Sequence, residues 1–245
     1  MKSRIVLLLL TAGIISCDKE SPKEIANGIR GYFVLEKMRH TTFTPTGKYE
    51  TYEESVATIF DKPPYAVDPG QVRVIDSFLT LDNYRKIIKN SNFRNGFTNL
   101  LEGAKEWTVV GNNTSGVQAF SITSPKDFSS VALTEFSSVP EIDRSIPFTI
   151  NLNTSVPCDS ISIEIRGYDG KRHNSGYLSG TISSYTLTPS QLAHFVPSNL
   201  SNVPEMEVSS DVLIITGLMV KKEIKGGIAV ECAKLVRRIV TVKIK

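Results

Sequence analysis

The side chains that most often serve as general bases are few and scattered in this chain. It holds three histidines, His40, His173 and His194, which lie far apart in the sequence. The GxSxG motif that presents the nucleophilic serine of many hydrolases does not occur. His173 lies in a predicted basic turn and His194 on a predicted short helix. With no partner signal beside either histidine, we expect structural or solvent-facing roles rather than general-base catalysis.

Neighbouring carboxylates are the next candidates for acid–base chemistry. Glycoside hydrolysis needs two carboxyl groups at a defined separation in space. Adjacency in sequence does not supply that separation, so we interpret each pair as part of a solvated acidic surface. The pairs are Glu53 with Glu54, Glu141 with Asp143, and Glu205 with Glu207.

Metal-binding and cofactor-binding motifs are missing from the sequence. The segment "DKPPYAVDPG" contains Asp61 and Asp68 but lacks the Asp-x-Asp-x-Asp spacing of a calcium loop. A phosphate loop, a dinucleotide fingerprint and a zinc-type cysteine spacing are also missing. The sequence therefore predicts no catalytic residues, no metal, no cofactor and no enzymatic activity.

The three cysteines have different surroundings. Cys17 follows an apolar segment, and Cys158 and Cys232 lie in the second half of the chain. Alternation in "IAVEC" predicts that Cys232 points inward, whereas alternation in "CDSISIEI" predicts that Cys158 points outward unless Asp159 bulges. Two alternatives remain open: a Cys158–Cys232 disulfide, which would stabilise the fold by roughly 4 kcal/mol, or two free thiols.

The first 16 residues have the three parts of a secretory signal peptide. Two basic residues precede a short apolar stretch, which ends at the small residue Ser16. About a dozen apolar residues are too few for a transmembrane helix, which needs roughly 20. Residues 1–16 are therefore predicted to be removed on export.

The cleavage site "IISC", residues 14–17, resembles the lipobox of bacterial lipoproteins. The resemblance implies that the Cys17 thiol receives a diacylglycerol, that cleavage occurs just before it, and that residues 17–28 form a lipidated tether. Stable anchoring takes two acyl chains or more. The acidic residues after the cysteine, such as Asp18 and Glu20, loosely resemble a surface-export signal of Gram-negative bacteria. We expect an outer-membrane location, on the periplasmic face or the cell surface.

The charge of the chain argues against a nucleic-acid partner. Of the 28 Lys and Arg residues, Lys2 and Arg4 belong to the signal peptide, so the mature chain is nearly neutral against its 25 Asp and Glu residues. A nucleic-acid-binding surface would require a basic excess. The predicted partners are the membrane, through the lipid, and a glycan or protein ligand.

Alternating apolar residues predict an all-β fold with one or two short helices. The segment "SSVPEIDRSIP" is a predicted boundary between two antiparallel sandwich-like domains, residues 29–138 and 139–245. Thr188, Pro189 and Gln191 have the spacing of an N-terminal helix cap. The stretch "FTINLNTSVPCDSISIEIRGYDG" resembles an immunoglobulin or fibronectin III sandwich, although the Cys-Trp-Cys signature of true immunoglobulin domains is missing.

Aromatic residues supply the remaining candidates for binding. Trp107, the single tryptophan, alternates with Val109 and is predicted to lie in the core. Tyr65, Tyr168 and Tyr177 fall in turn-rich segments, where exposed rings could contact a ligand.

The sequence favours a lipid-anchored envelope protein with a non-catalytic role. That role is the capture of a glycan or polypeptide, or support of an envelope complex. One alternative is a structural or adhesive subunit that assembles by strand exchange. Another is a hydrolase whose site is built from loops.

Overall fold

The all-β prediction is confirmed by the computed structural model. It describes residues 28–44, 46–75, 77–79, 81–82, 85–90, 102–126, 132–133, 135–153, 158–198 and 211–245. The predicted signal peptide, the tether up to residue 27 with its Cys17, and the Glu205–Glu207 pair lie outside these residues. Within the described residues, no helix is long and apolar enough to cross a membrane.

The described strands form four sheets, of which the largest has nine strands. The order in the nine-stranded sheet is β14-β13-β16-β17-β1-β2-β7-β6, and β3 pairs with β2 outside this path. The other sheets have the orders β5-β4-β8-β9, β10-β12-β15 and β11-β18. The bounds, in chain order, are β1 (Arg30–Thr44), β2 (Gly47–Lys62), β3 (Tyr65–Ala66), β4 (Val72–Val74), β5 (Ser77–Phe78), β6 (Leu81–Asp82), β7 (Arg85–Asn90), β8 (Glu106–Val109), β9 (Phe120–Thr123), β10 (Ala132–Leu133), β11 (Glu141–Ile142), β12 (Phe148–Asn153), β13 (Ser160–Arg166), β14 (Arg172–Ser179), β15 (Ser184–Leu187), the helix α1 (Pro189–Leu192), β16 (Val212–Lys225), β17 (Ile228–Thr241) and β18 (Lys243–Ile244).

Two long hairpins form the centre of the nine-stranded sheet. Strands β16 and β17 are joined by Gly226 and Gly227, which both have positive φ angles, of 56° and 74°. A two-residue hairpin loop with positive φ at both positions matches the right-handed twist of the strands it joins, and glycine adopts this conformation without strain. Strands β1 and β2 form the second hairpin.

Strand β1 also pairs with β17, in parallel, from Arg30 opposite Ala229 to Thr41 opposite Val240. The nine-stranded sheet therefore contains strands from both sides of the boundary predicted at residues 138–139. The division into two domains and the immunoglobulin-like character of the second one stay predictions.

The buried side of the nine-stranded sheet packs against the four-stranded sheet through aromatic rings. Phe33 on β1 lies with its ring centroid 5.1 Å from that of Trp107 on β8, in an edge-to-face arrangement. It contacts Phe60 and Phe120 in the same way, at 5.5 and 6.0 Å. The prediction that Trp107 lies in the core is confirmed, since its side chain is fully buried.

The second half of the chain adds an aliphatic part to the same core. Ile161, Ile163 and Ile165 alternate along β13 and are fully buried, as their sequence spacing predicts. The predicted helix is α1, where Thr188 donates its backbone N–H to the Gln191 side chain at 2.8 Å. Leu192 on α1 and Phe195 just after it belong to the same hydrophobic cluster.

The two described cysteines are both buried and both are free thiols. The inward direction predicted for Cys232 is confirmed, and burial raises the pKa of its thiol to about 12. The outward direction predicted for Cys158 is wrong, because only 7% of that residue is exposed. Strand β13 begins at Ser160, so the strand alternation does not extend back to Cys158. The chain there packs so closely on Gly180 that a Cβ at that glycine would lie 1.8 Å from the Cys158 carbonyl oxygen.

Candidate binding site

In the described residues, the carboxylates considered for catalysis either point to opposite faces of a sheet or are engaged by other side chains and backbone groups. Glu53 and Glu54 are consecutive on β2 and therefore point to opposite faces of the sheet. Glu141 forms ion pairs with Lys243 and Lys245, whereas Asp143 accepts a hydrogen bond from the Ser145 hydroxyl at 2.6 Å. Asp68 accepts hydrogen bonds from the Gly70 backbone and the Asn112 amide, which stabilise a turn. These contacts give the carboxylates structural roles.

Two of the three histidines lie near each other, although the sequence separates them. The ring of His173 on β14 lies 3.3 Å from the Tyr185 hydroxyl on β15. Burial lowers the pKa of His173, and the nearby charge of His194 lowers it further. The described residues bring no group of three or more His, Cys, Asp and Glu side chains close enough to hold a metal ion.

The three tyrosines predicted to be exposed are exposed, but not all of them lie in loops. Tyr65, on the short strand β3, is 74% exposed, and Tyr168 is exposed in the turn after β13. Tyr177 lies within β14, which corrects its assignment to a loop. Because five strands separate β14 from β3 in the sheet and neighbouring strands are about 4.8 Å apart, Tyr65 and Tyr177 cannot form one site.

Among the described residues, the largest set of converging charges lies where the β1–β2 hairpin extends past the aromatic part of the core. Side chains alternate along β1, so Lys37 and Arg39 continue the face on which Phe33 and Leu35 are buried. That face therefore changes from apolar to charged within one strand. We call the charged group the hairpin-end cluster; its members are Arg39, Lys48, Glu50, Tyr52, Glu135 and Arg238.

Arg39 and Glu50 form the base of the hairpin-end cluster. Arg39 donates two hydrogen bonds to the Glu50 carboxylate, with the Nε–Oε2 distance at 3.1 Å and a second bond from Nη2 to Oε1. The Tyr52 hydroxyl donates to Glu50 at 3.0 Å, and the Arg39 guanidinium lies 6.0 Å from the centre of the Tyr52 ring. Such a forked arginine–carboxylate pair holds both side chains in a fixed geometry.

Glu135 closes the cluster from a separate segment of the chain, just after β10. Its carboxylate accepts from Lys48 Nζ at 2.7 Å and from Arg39 Nη1 at 3.1 Å, and it lies 3.4 Å from Arg238 Nη2. The Glu135 side chain is 57% exposed, whereas the side chain of Arg238 is nearly buried. One exposed carboxylate is thus held by three cations from three strands.

The backbone register explains why anions are needed at this point. Arg39 on β1 and Arg238 on β17 are register partners, so their side chains leave the same face of the sheet on adjacent strands. Like charges in that arrangement repel each other. Burial lowers the pKa of Arg238, Glu135 raises it, and the charge of Arg39 lowers it again. Among the described residues, Glu50 and Glu135 supply neutralising charge.

The cations of the hairpin-end cluster lower the pKa values of its two carboxylates. The hydrogen bond from Arg39, assisted by Lys48 and Tyr52, lowers the pKa of Glu50 to about 2. The hydrogen bond from Lys48 lowers the pKa of Glu135. Burial, followed by the hydrogen bond to Glu50, raises the pKa of Tyr52. Both carboxylates are therefore ionised at neutral pH.

Replacing Glu50 by glutamine should lower stability in a pH-dependent way. Because the folded-state pKa of Glu50 lies below its usual value of 4.5, its contribution is fully present above about pH 4.5 and is lost as the pH falls to about 2. We expect Glu50→Gln to cost about 1 kcal/mol at pH 7 and almost nothing at pH 2. Urea denaturation at pH 7, 4 and 2 measures this, with Glu53→Gln on the opposite face as the control. An equal cost at all three pH values contradicts the assignment.

Sequence reasoning missed the hairpin-end cluster because its members are distant in the chain. Arg39 and Glu135 are 96 residues apart, and Glu135 and Arg238 are 103 apart. The parity of Lys37 and Arg39 with the buried Phe33 was the signal present in the sequence. It marks the end of an apolar face but does not identify the partner.

No protein-family model matches the chain, and no curated protein shows significant similarity to it. Function is therefore inferred from the chemistry of the described residues. The hairpin-end cluster offers charge-assisted hydrogen-bond donors and an aromatic ring at the surface, a combination suited to holding a polar ligand.

Proposed function

We propose that the chain is an exported lipoprotein, anchored through Cys17 in the bacterial outer membrane, that binds a ligand and does not catalyse a reaction. The lipobox-like residues before Cys17 support the anchor. The hairpin-end cluster is the observation that supports ligand binding. The proposed ligand is a glycan or a polypeptide.

Several properties of the cluster favour ligand binding over catalysis. Glu50 and Glu135 are each held by cations, so their pKa values are lowered rather than raised. A general acid at neutral pH needs the opposite shift. Arg39 and Lys48 are both held by the Glu50 carboxylate on β2, which limits the conformational entropy lost when a ligand binds.

The lipid anchor is tested by replacing Cys17 with serine. Without the thiol no diacylglycerol can be attached, and a chain lacking its acyl groups has no hydrophobic anchor. We expect immunoblotting after ultracentrifugation to find the wild-type protein in the membrane fraction. The Cys17→Ser protein is expected either in the soluble fraction or as a precursor that keeps its signal peptide. Ser16→Ala, which keeps a small residue before the cysteine, serves as the control. A Cys17→Ser protein that still partitions with membranes and is processed normally contradicts the anchor.

Assembly by strand exchange is the alternative, and the strand pairing gives it less support. Strand β1 has hydrogen-bonded neighbours on both sides, so its exchange would break two ladders. The edge strand β14 contains Gly176 at φ 69°, and its register with β13 shifts between Ser162 and Glu164. Such irregularities protect an edge against pairing with another chain. Sedimentation equilibrium is expected to give a monomer, and concentration-dependent polymers would favour the alternative.

A further inference from the structure

We propose that Arg39, Lys48 and Arg238 form a carboxylate-binding cradle for the uronic-acid units of an acidic polysaccharide, and that Glu135 occupies this cradle until the ligand displaces it. This inference rests on the proposed function, because it assigns a ligand class to the same site.

The occupied cradle shows which chemical group it fits. The two Glu135 oxygens accept from Lys48 and Arg39, and Arg238 lies 3.4 Å from one of them. The carboxylate of a uronic acid has the same shape and charge as that of Glu135. Arginine and lysine bound to a carboxylate make charge-assisted hydrogen bonds, which are the strong ones in proteins.

The cradle is more rigid than its occupant. Arg39, Lys48 and Arg238 stand on β1, β2 and β17, three adjacent strands of the nine-stranded sheet. Glu135 stands outside any strand, and its side chain is more than half exposed. An incoming carboxylate can therefore replace Glu135 without rearranging the strands.

Charge balance explains why the cradle selects an anion. Within the cluster, Glu50 stays bound to Arg39 by the forked pair when Glu135 leaves. Displacement of Glu135 removes one carboxylate from beside Arg39, Lys48 and Arg238, and Arg39 and Arg238 remain register partners on one face. The repulsion between like charges on neighbouring strands is relieved when an anionic ligand binds.

An exposed aromatic ring favours a sugar over an acidic peptide. Tyr52 is the register partner of Arg39, lies on the same face of the sheet and is exposed. Aromatic rings present large apolar surfaces on which the C–H faces of a pyranose ring can pack. A carboxylate beside an apolar ring face is the chemistry of a uronate unit.

The test is isothermal titration of the full mature lipoprotein in detergent with two probes. Oligogalacturonate carries one carboxylate per unit, and its fully methyl-esterified form has the same ring without the charge. Because Glu135→Gln removes the internal competitor, we expect this variant to bind oligogalacturonate about tenfold or more tightly than wild type. Arg39→Gln in the Glu135→Gln background should abolish the gain. The affinity should also fall as salt rises.

Control variants and probes separate the outcomes. Glu53→Gln removes a charge from the opposite face of β2 and should leave binding at the wild-type level. Trp107 fluorescence reports whether each variant is folded, and Glu135→Ala replaces Glu135→Gln if the latter unfolds.

Equal binding of both galacturonate forms by wild type and Glu135→Gln overturns the cradle while leaving glycan binding in place. Binding of polyglutamate without oligogalacturonate overturns the sugar assignment. Binding of neither probe nor polyglutamate by any variant overturns the cradle, whereas the lipid anchor of the proposed function is tested separately by Cys17→Ser.

Discussion

Replacing Phe33 by alanine is expected to lower the free energy of unfolding by about 3 to 5 kcal/mol. Phe33 is fully buried and makes edge-to-face contacts with three aromatic rings, of which Trp107 is the nearest. These contacts join β1 of the nine-stranded sheet to β8 of the four-stranded sheet. Alanine would leave a cavity at the junction, because strands on both sides limit its collapse. Urea denaturation monitored by the fluorescence of Trp107, the single tryptophan, measures the loss directly.

The matched control for Phe33 is another phenylalanine that lies at the surface. Phe78 on β5 is 56% exposed, and its ring lies 5.9 Å from the Arg73 guanidinium. Phe78→Ala should change the free energy of unfolding by about 0.5 kcal/mol or less. Similar losses for Phe33→Ala and Phe78→Ala would contradict the packing of the two sheets described above.

Separating the chain at residues 138–139 is expected to expose the Cys232 thiol. Cys232 on β17 is the register partner of Phe33 on β1, and it is fully buried in the intact chain. A fragment comprising residues 139–245 lacks β1, so β17 loses the neighbour on that side. We expect the thiol to react with a disulfide reagent at least about tenfold faster in the fragment than in the intact protein. In the fragment the thiol is exposed, and its pKa is no longer raised by burial.

Cys158 provides the internal control for the fragment experiment. Its thiol contacts the carbonyl oxygens of Ser160 and Gly180, which are both retained in residues 139–245. Its reactivity should therefore change much less than that of Cys232. Equal protection of Cys232 in the fragment and in the intact chain would favour two independent domains and contradict the role assigned to β1.

Features specified by neighbouring residues were predictable from the sequence. Strand β13 was predicted because Ile161, Ile163 and Ile165 alternate, and α1 because Thr188, Pro189 and Gln191 carry a complete set of start signals. Burial of Trp107 followed from the same alternation. In each case the residues that determine the local structure lie within a single strand or helix or next to it.

Features that join distant segments were not predictable from the sequence. The parallel pairing of β1 with β17 has no connecting turn to indicate it, since Arg30 and its partner Ala229 stand near opposite ends of the chain. Two hairpins that each satisfy local rules can be arranged in several orders. The hairpin-end cluster depends on that arrangement, because it needs Arg238 of β17 beside Arg39 of β1.

The exposed tyrosines illustrate a partial success of the sequence interpretation. The exposure of Tyr65, Tyr168 and Tyr177 was predicted from turn-rich surroundings, yet Tyr177 lies on the edge strand β14. Tyr52, the tyrosine of the hairpin-end cluster, was not singled out, because it lies within an ordinary alternating strand. Its significance appears only when Glu50 and Arg39 are seen beside it.

The most direct test of the central claim is the intact mass of the mature N-terminus, measured on protein extracted from bacterial membranes. A lipid-anchored envelope protein is expected to begin at Cys17, with a diacylglycerol on the thiol and an acyl group on the amine. An N-terminus at another residue, or an unmodified Cys17, would contradict the anchor and the envelope location that the proposed binding role requires.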